Sequence, residues 1–279
     1  ISLDQSVIII SASSDIGAAA CRRWVARGWP VAGTYRTRTR SVEELEQLGV
    51  VLVPCDLADI GSIREACEVL RRRCPAWDAL VLCPGTQEPV GCFRDIDFDQ
   101  WETSLRVNFT SQLRIVHGLL ASAGRDDSRE PLVLFFAGGG TNAAPRHYSA
   151  YTVSKIALIK MCELLDAEIA GVRFAIVGPG WVKTKIHEAT LRAGARAGAN
   201  YQRTLERLSG DTCTPMGRVL DCCEWLITAP REVISGRNFA LVSDEWGTPA
   251  LEQALRSDPN LYKLRRHGNE SLVRAGRVG

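Results

Sequence analysis

The sequence has no apolar run long enough to cross a bilayer, no dominant charge sign and no cysteine pair spaced to clasp a metal. Each absence removes a class of function. The apolar runs are strand-length, whereas a membrane-spanning helix needs about 20 consecutive apolar residues, so no membrane association is expected. Lysine and arginine number 34 against 32 acidic residues, a formal net charge of +2, so no broad basic field draws nucleic acid. No secretory signal is visible before the apolar run Val7-Ile-Ile-Ile10, and the missing initiator methionine suggests a trimmed or truncated start. Ten cysteines would signal a disulfide framework in a short secreted chain, but there is no C-x-x-C pair and the four histidines are scattered at 117, 147, 187 and 267. Cys21, Cys67, Cys162 and Cys222 fall inside helical patterns, while Cys55 and Cys83 end strand-like runs. Reduced, mostly buried thiols in a cytoplasmic protein, with no metal, are the expectation. No linker, repeat or low-complexity segment divides the 279 residues, so one domain over 1–279 is the economical reading.

What is there alternates. Short β-branched runs at residues 7–11, 30–35, 50–54, 79–83, 132–137, 172–178 and 238–242 read as seven strands. Helix-period segments lie between them, near 16–27, 41–48, 60–73, 98–122, 150–170 and 215–229. The alternation predicts an α/β fold, a doubly wound parallel sheet with helices on both faces. Two segments stand outside it. Residues 185–212 form an Arg/Ala-rich helical insertion, and a C-terminal extension, 247–279, carries Leu251, Leu255, Leu261, Tyr262 and Leu264. That extension is too apolar for a free tail and is expected to lie on its own domain or on a second subunit.

The most informative run is Ser149-Ala-Tyr-Thr-Val-Ser-Lys155. Tyr-x-x-x-Lys sets a phenol and an ammonium four residues apart, on one helix face. A neighbouring positive charge favours the phenolate and should lower the Tyr151 pKa. Such a tyrosine exchanges a proton with a carbonyl or alcohol oxygen near neutral pH.

Four motifs together resemble the short-chain dehydrogenase/reductase family over roughly residues 5–245. Tyr151 and Lys155 resemble its catalytic pair. Asn108, in Leu105-Arg-Val-Asn-Phe109, resembles the helix asparagine that supports a water-mediated proton path to the lysine. Cys55-Asp-Leu57 resembles the Asp-Leu pair that meets adenine, which implies cofactor contacts at Asp56 and Leu57. Pro179-Gly-Trp-Val-Lys-Thr184 resembles the loop that holds the nicotinamide carboxamide and phosphates, implying Pro179, Gly180, Val182 and Thr184. The resemblance implies a Rossmann-type sheet, an NAD(P)-dependent oxidoreductase and a homodimer or homotetramer. Each motif alone also has a plain reading, as a helix cap, a turn or a loop.

The chain departs from that family at three places. Where a glycine-rich first turn is expected, the run is Ile10-Ser-Ala-Ser-Ser-Asp-Ile-Gly17, so Ser11 and Asp15 replace two glycines and Gly17 alone remains. Asp15 would put a carboxylate where the helix N-terminus should receive phosphate, unless it caps that helix. Ser11, Ser13, Ser14, Ile16 and Gly17 remain the expected cofactor contacts of this turn. The serine expected before the tyrosine is absent: Phe135-Phe-Ala-Gly-Gly-Gly-Thr141 puts Gly138 there, with Thr141 the nearest hydroxyl. Losing one such donor typically costs about 10²- to 10³-fold in rate. The turn after the fourth strand is Leu82-Cys-Pro-Gly85, of which Gly85 alone matches.

At the end of the second strand stand Tyr35 and Arg36, followed by Arg38 and Arg40, with no acidic residue for a ribose. Arg36 could grip a 2′-phosphate, which favours NADP over NAD; a merely solvated arginine loop is the other reading. Gly138, Thr141 and His147, with the 185–212 insertion, should face the substrate, and the basic residues of that insertion suit a polar or anionic molecule. A solvated amphipathic helix explains the same charges. The expected activity is interconversion of a ketone and a secondary alcohol on a small, sugar-like carbonyl or alcohol substrate. The alternatives are a cofactor-binding sensor or scaffold with weakened catalysis, and a redox-neutral epimerase.

Overall fold

The structure, a computed structural model, describes residues 5–124 and 130–267. Seven strands, β1 (Val7–Ile10), β2 (Val31–Tyr35), β3 (Val51–Pro54), β4 (Ala79–Leu82), β5 (Leu132–Phe136), β6 (Arg173–Gly178) and β7 (Arg237–Ala240), form one sheet. Their order is β3-β2-β1-β4-β5-β6-β7, and every neighbouring pair is parallel. Each of the seven expected strands is found; six are shortened by one residue, and the seventh starts one residue earlier and ends two earlier than expected.

The helices in chain order are α1 (Asp15–Ala26), α2 (Arg40–Gln47), α3 (Ile60–Arg73), α4 (Phe98–Leu105), α5 (Ser111–Leu119), α6 (Ser149–Glu168), α7 (Glu188–Ala193), α8 (Ala199–Ser209), α9 (Met216–Thr228), α10 (Arg231–Ile234) and α11 (Pro249–Ser257). The sequence read 98–122 as one helix. The structure breaks it at a π-helical turn, Arg106–Thr110, and ends it in a 3₁₀ turn, Leu120–Ser122.

The sheet is apolar on both faces because successive side chains point to opposite sides. Val7, Ile9, Val81 and Leu134 join one core, which packs with Trp24 of α1 and Leu226 of α9. Ile8, Ile10, Leu80 and Phe135 join the other, with Leu70, Ile115 and Leu158 from α3, α5 and α6. Parallel neighbours need crossovers, and burial on both sides removes the polar alternation a half-exposed strand would show.

Residues 255–262 of the C-terminal extension pack on the chain's own sheet. Asn238 of β7 donates its backbone N–H to the Tyr262 carbonyl at 2.8 Å. Arg237 donates to the Leu255 and Leu261 carbonyls at 2.6 and 2.8 Å. The Tyr262 ring meets Phe239 edge-on at 5.4 Å. Residues 268–279 of the extension lie outside the described residues.

Candidate active site

Chain order reverses between β1 and β4, and in open α/β sheets ligands bind at such a point, beyond the carboxyl ends of the strands. A cleft of about 760 Å³ lies there, lined among others by Asp15, Arg36, Gly138, Tyr151, Lys155 and Thr184. That is the size of a small-molecule or cofactor site. Tyr151 and Lys155 come from the first turns of α6, and the lysine Nζ stands 5.8 Å from the centre of the phenol ring.

The expected lowering of the Tyr151 pKa is not what the structure has. Burial pushes the phenol up to about 12, and burial pushes the Lys155 ammonium down to about 8. The reason is where the lysine's protons go. Nζ donates to the Phe136 carbonyl at 2.9 Å and to the Pro84 carbonyl at 3.4 Å, so the charge is held by the ends of β5 and the β4 turn rather than by the phenol oxygen. That oxygen has no hydrogen-bond partner among the described residues.

Gly138 lies directly under the tyrosine. A Cβ built on it would stand 2.5 Å from Tyr151 Oη and 2.7 Å from Cζ. The phenol has taken the space that a side chain at this position would need. A serine here is excluded by the present position of the ring, and not merely absent.

Asn108 sits in the π-helical turn and is fully buried. Its amide reads both backbone groups of Thr86: Oδ1 accepts from the Thr86 N–H at 2.9 Å, and Nδ2 donates to the Thr86 carbonyl at 2.8 Å. Nδ2 also reaches Ser104 Oγ at 3.1 Å. Gln112, one turn on, donates to the Asn108 carbonyl at 2.7 Å and to the Pro84 carbonyl at 3.5 Å. A side chain thus accompanies the π-helical turn from the following helix. Asn108 itself does not line the cleft; it fixes the segment that does, through Thr86.

The first turn differs from the sequence reading in its cap. Ser14, not Asp15, caps α1, accepting from the Gly17 N–H at 3.2 Å. Asp15 instead accepts a 2.7 Å hydrogen bond from the backbone N–H of Lys185. Ser11 adopts the left-handed backbone that glycine would favour, with φ 60°, and donates its N–H to Thr34 Oγ1 at 3.0 Å. Ser14 and Ile16 line the cleft, whereas Ser11, Ser13 and Gly17 do not.

Among the three arginines after β2, Arg38 is held by Glu46 through two hydrogen bonds of 2.6 and 3.2 Å, and Arg40 by Glu44 at 3.2 Å. Arg36 has no carboxylate partner among the described residues and lines the cleft. Tyr35 stands beside Arg38 and does not line it. Asp56 is turned into a local bond with the Ala58 N–H at 2.9 Å. Leu57 is buried, its carbonyl accepting from Ser111 Oγ at 2.6 Å. Neither lines the cleft. Gly85, Pro179, Gly180, Val182 and Thr184 do. Gly180 is at φ 74°, and a Cβ there would meet Val242 at 2.5 Å and Thr214 at 2.7 Å, so a glycine alone fits.

On the substrate side, Gly138 lines the cleft, but Thr141 and His147 do not. Thr141 belongs to an irregular glycine-rich loop between β5 and α6. His147, at φ 72°, packs its ring against Gly198, and its carbonyl accepts from the Gly91 N–H. His187 of the insertion lines the cleft, but not as an exposed basic residue. It is buried, stacked on Trp181 at 4.3 Å, and its imidazole pKa is lowered by that burial. The sequence reading missed a polar string in the cleft, in which Tyr148 Oη is 2.7 Å from Thr190 Oγ1, which donates to Gln87 Oε1 at 3.0 Å. With the Thr190 proton on Gln87, Tyr148 is the donor to Thr190. Its place one turn before Tyr151 was the available signal. Arg203 of α8 also lines the cleft.

A parallel sheet in this order, with a Tyr-Lys pair at its switch point, defines a dinucleotide-dependent oxidoreductase. The family model of the short chain dehydrogenases matches residues 5–194, and the chain belongs to that family. It is an NAD(P)-dependent dehydrogenase/reductase. It is 24% identical to serine 3-dehydrogenase of Agrobacterium fabrum over 243 residues, which are 83% of this chain and 91% of that protein. A short-chain dehydrogenase/reductase from Saccharomyces cerevisiae shares the fold with a TM-score of 0.74 at 19% identity, covering 88% of this chain and 98% of that one. A short-chain dehydrogenase from Burkholderia cenocepacia, solved in complex with NADP, does so with a TM-score of 0.70 at 21% identity, covering 85% and 96%.

Proposed function

We propose that this chain is an NADP-dependent oxidoreductase that interconverts a ketone and a secondary alcohol on a polar, sugar-like metabolite. The convergence of Tyr151 and Lys155 on one cleft at the switch point carries the reading. The residues fit a dinucleotide. The N–H groups of Asp15 and Ile16 begin α1 and have no intrahelical acceptor. Arg36 lines the cleft without a carboxylate partner among the described residues, and suits a 2′-phosphate. Ile16 and Thr184 would hold the pyrophosphate, Lys155 the nicotinamide ribose, and Pro179, Gly180 and Val182 the carboxamide.

When bound, the nicotinamide would supply or accept hydride at the substrate carbon. The chain's own task is the proton. In the reducing direction Tyr151 Oη gives its proton to the carbonyl oxygen, and the phenolate that remains is stabilised by the nearby Lys155 ammonium. A phenol held up at about 12 is a reluctant donor, so a substrate oxygen that bonds to it, or a lysine drawn toward it, is needed to lower the barrier. With Gly138 in place of a hydroxyl, the substrate oxygen finds its second donor in a backbone N–H of residues 138–140 or in its own neighbouring hydroxyl. Arg203, Lys185 and the Tyr148 string give this side of the cleft its polarity. The exposed Val153 and Leu164 on α6 support a homodimer or homotetramer built on that helix.

Titration of the purified protein with NADPH and NADH, followed by nucleotide fluorescence, tests the cofactor. Arg36→Ala should weaken NADPH at least tenfold and leave NADH unchanged. A carbonyl screen then tests the chemistry, since Tyr151→Phe should abolish turnover while nucleotide affinity is kept. Binding without any turnover, unchanged in Tyr151→Phe, would instead favour a sensor. The raised Tyr151 pKa and the missing serine are what keep that second reading open. Substrate conversion without net change in nicotinamide absorbance would identify an epimerase.

A further inference from the structure

The hydrogen bond between Asp15 Oδ2 and the Lys185 N–H joins residues 170 apart in sequence. One is the first residue of α1 and the other opens the helical insertion after β6, and both line the cleft. A carboxylate in the first turn of a helix is favoured by the positive end of the helix dipole. The same positive end, with its unpaired N–H groups, is what attracts a phosphate. The Asp15 carboxylate therefore makes, within the protein, the interactions that an anionic ligand at this point would make. It stands in the first turn of α1 and accepts from the backbone N–H of Lys185, the residue that opens the insertion.

Resting on the dinucleotide reading above, we propose that Asp15 is an internal competitor for the cofactor pyrophosphate, and that its bond to Lys185 is a latch the cofactor must open. The carboxylate opposes binding in two ways. It occupies the Lys185 N–H, and it adds a negative charge beside the incoming phosphates. Release of that N–H also frees the start of the insertion, so cofactor binding and the position of Lys185 and Ile186 in the cleft are linked. Asp15 thereby sets cofactor affinity without touching the reacting atoms. The exposed Lys185 ammonium and Arg36 guanidinium moderate the repulsion and keep the site usable.

Two variants separate the effects. Asp15→Asn removes the charge and keeps an oxygen that can accept from Lys185. Asp15→Gly removes both. NADPH titration by fluorescence, with thermal melts to confirm folding, should give affinities in the order wild type, Asp15→Asn, Asp15→Gly, the last at least tenfold tighter than wild type. Amide hydrogen exchange on the cofactor-free proteins should show the Lys185 N–H protected in wild type and fast in Asp15→Gly. If Asp15→Gly does not fold, Asp15→Asn alone still decides, because loss of the charge must tighten NADPH. Wild-type binding that neither variant improves overturns the latch and leaves the cofactor reading intact, with Asp15 a strut between two loops. No binding of NADPH or NADH to any of the three proteins overturns the cofactor reading and the latch with it.

Discussion

The hydroxyl of Tyr151 stands 2.5 Å from the point where a Cβ on residue 138 would lie. Gly138 and Tyr151 are therefore one packing unit. A methyl at 138 can be placed only if the ring swings away. Gly138→Ala should lower turnover about tenfold or more and destabilise the fold by roughly 1–3 kcal/mol, as overpacking does. Steady-state rates and urea unfolding of the variant check this; a variant with unchanged rate would mean that the ring is not where the chemistry needs it.

Ser11 holds a left-handed backbone at φ 60°. A non-glycine residue there costs about 1–2 kcal/mol, and a glycine loses about 0.5–1 kcal/mol in chain entropy. Ser11→Gly should therefore stabilise the protein by roughly 0.5–1 kcal/mol, and Ser11→Val should destabilise it by more than that, since a β-branched residue tolerates this conformation worst. Denaturant midpoints of the two variants should move in opposite directions.

Asn108 is fully buried and satisfies both backbone groups of Thr86. Asn108→Ala would leave a donor and an acceptor unpaired and should cost about 2–4 kcal/mol. Asn108→Asp should not rescue it, because its second oxygen would face the Thr86 carbonyl. Equal stability of wild type and Asn108→Ala in urea would refute this account of the π-helical turn.

Alkaline pH should unfold the protein through its thiols. Burial raises Cys21, Cys55 and Cys222 from 9.0 to about 12, Cys67 to about 11, and Cys162 and Cys223 well above 9.0. Above pH 9 the unfolded chain loses these protons while the native chain keeps them, so stability falls as pH rises. Each fully shifted thiol contributes about 1.4 kcal/mol per pH unit, and six together rival a typical total stability of about 5–15 kcal/mol within one to two units. Lys155 acts the other way. Its folded pKa is lowered to about 8 from 10.5, so its burial penalty is present below pH 8 and fades as pH rises toward 10.5. One amine recovers at most about 3 kcal/mol, and the thiols win. Urea midpoints at pH 8, 9 and 10 should drop steeply between the last two; a flat profile would contradict the burial of these groups.

The inner strands were legible because both of their faces are buried, so Val7-Ile-Ile-Ile10 and Leu132–Phe136 stand out as unbroken apolar runs. The Tyr151–Lys155 pair was legible because helical spacing is local. What the pair does to its own pKa values was not, since Lys155 is held by the carbonyls of Pro84 and Phe136, 71 and 19 residues away in sequence. The partner of Asp15 lay 170 residues off, beyond any local pattern. Thr141 and His147 were misplaced because they belong to a glycine-rich loop whose path no periodicity dictates. The π-helical turn was hidden for a similar reason: it is matched to Thr86 across 22 residues.

The Tyr262 carbonyl against the Asn238 N–H has a consequence for growth of the sheet. A parallel sheet ends in two raw edges, each a template for another strand. At β7 the chain has spent its own tail to cover one of them, with Arg237 fastening that tail from beneath. At the opposite border, β3 ends in Pro54, which has no N–H to offer. One margin is partly covered by the chain's own tail, and the other ends in a residue that offers an added strand no ladder donor.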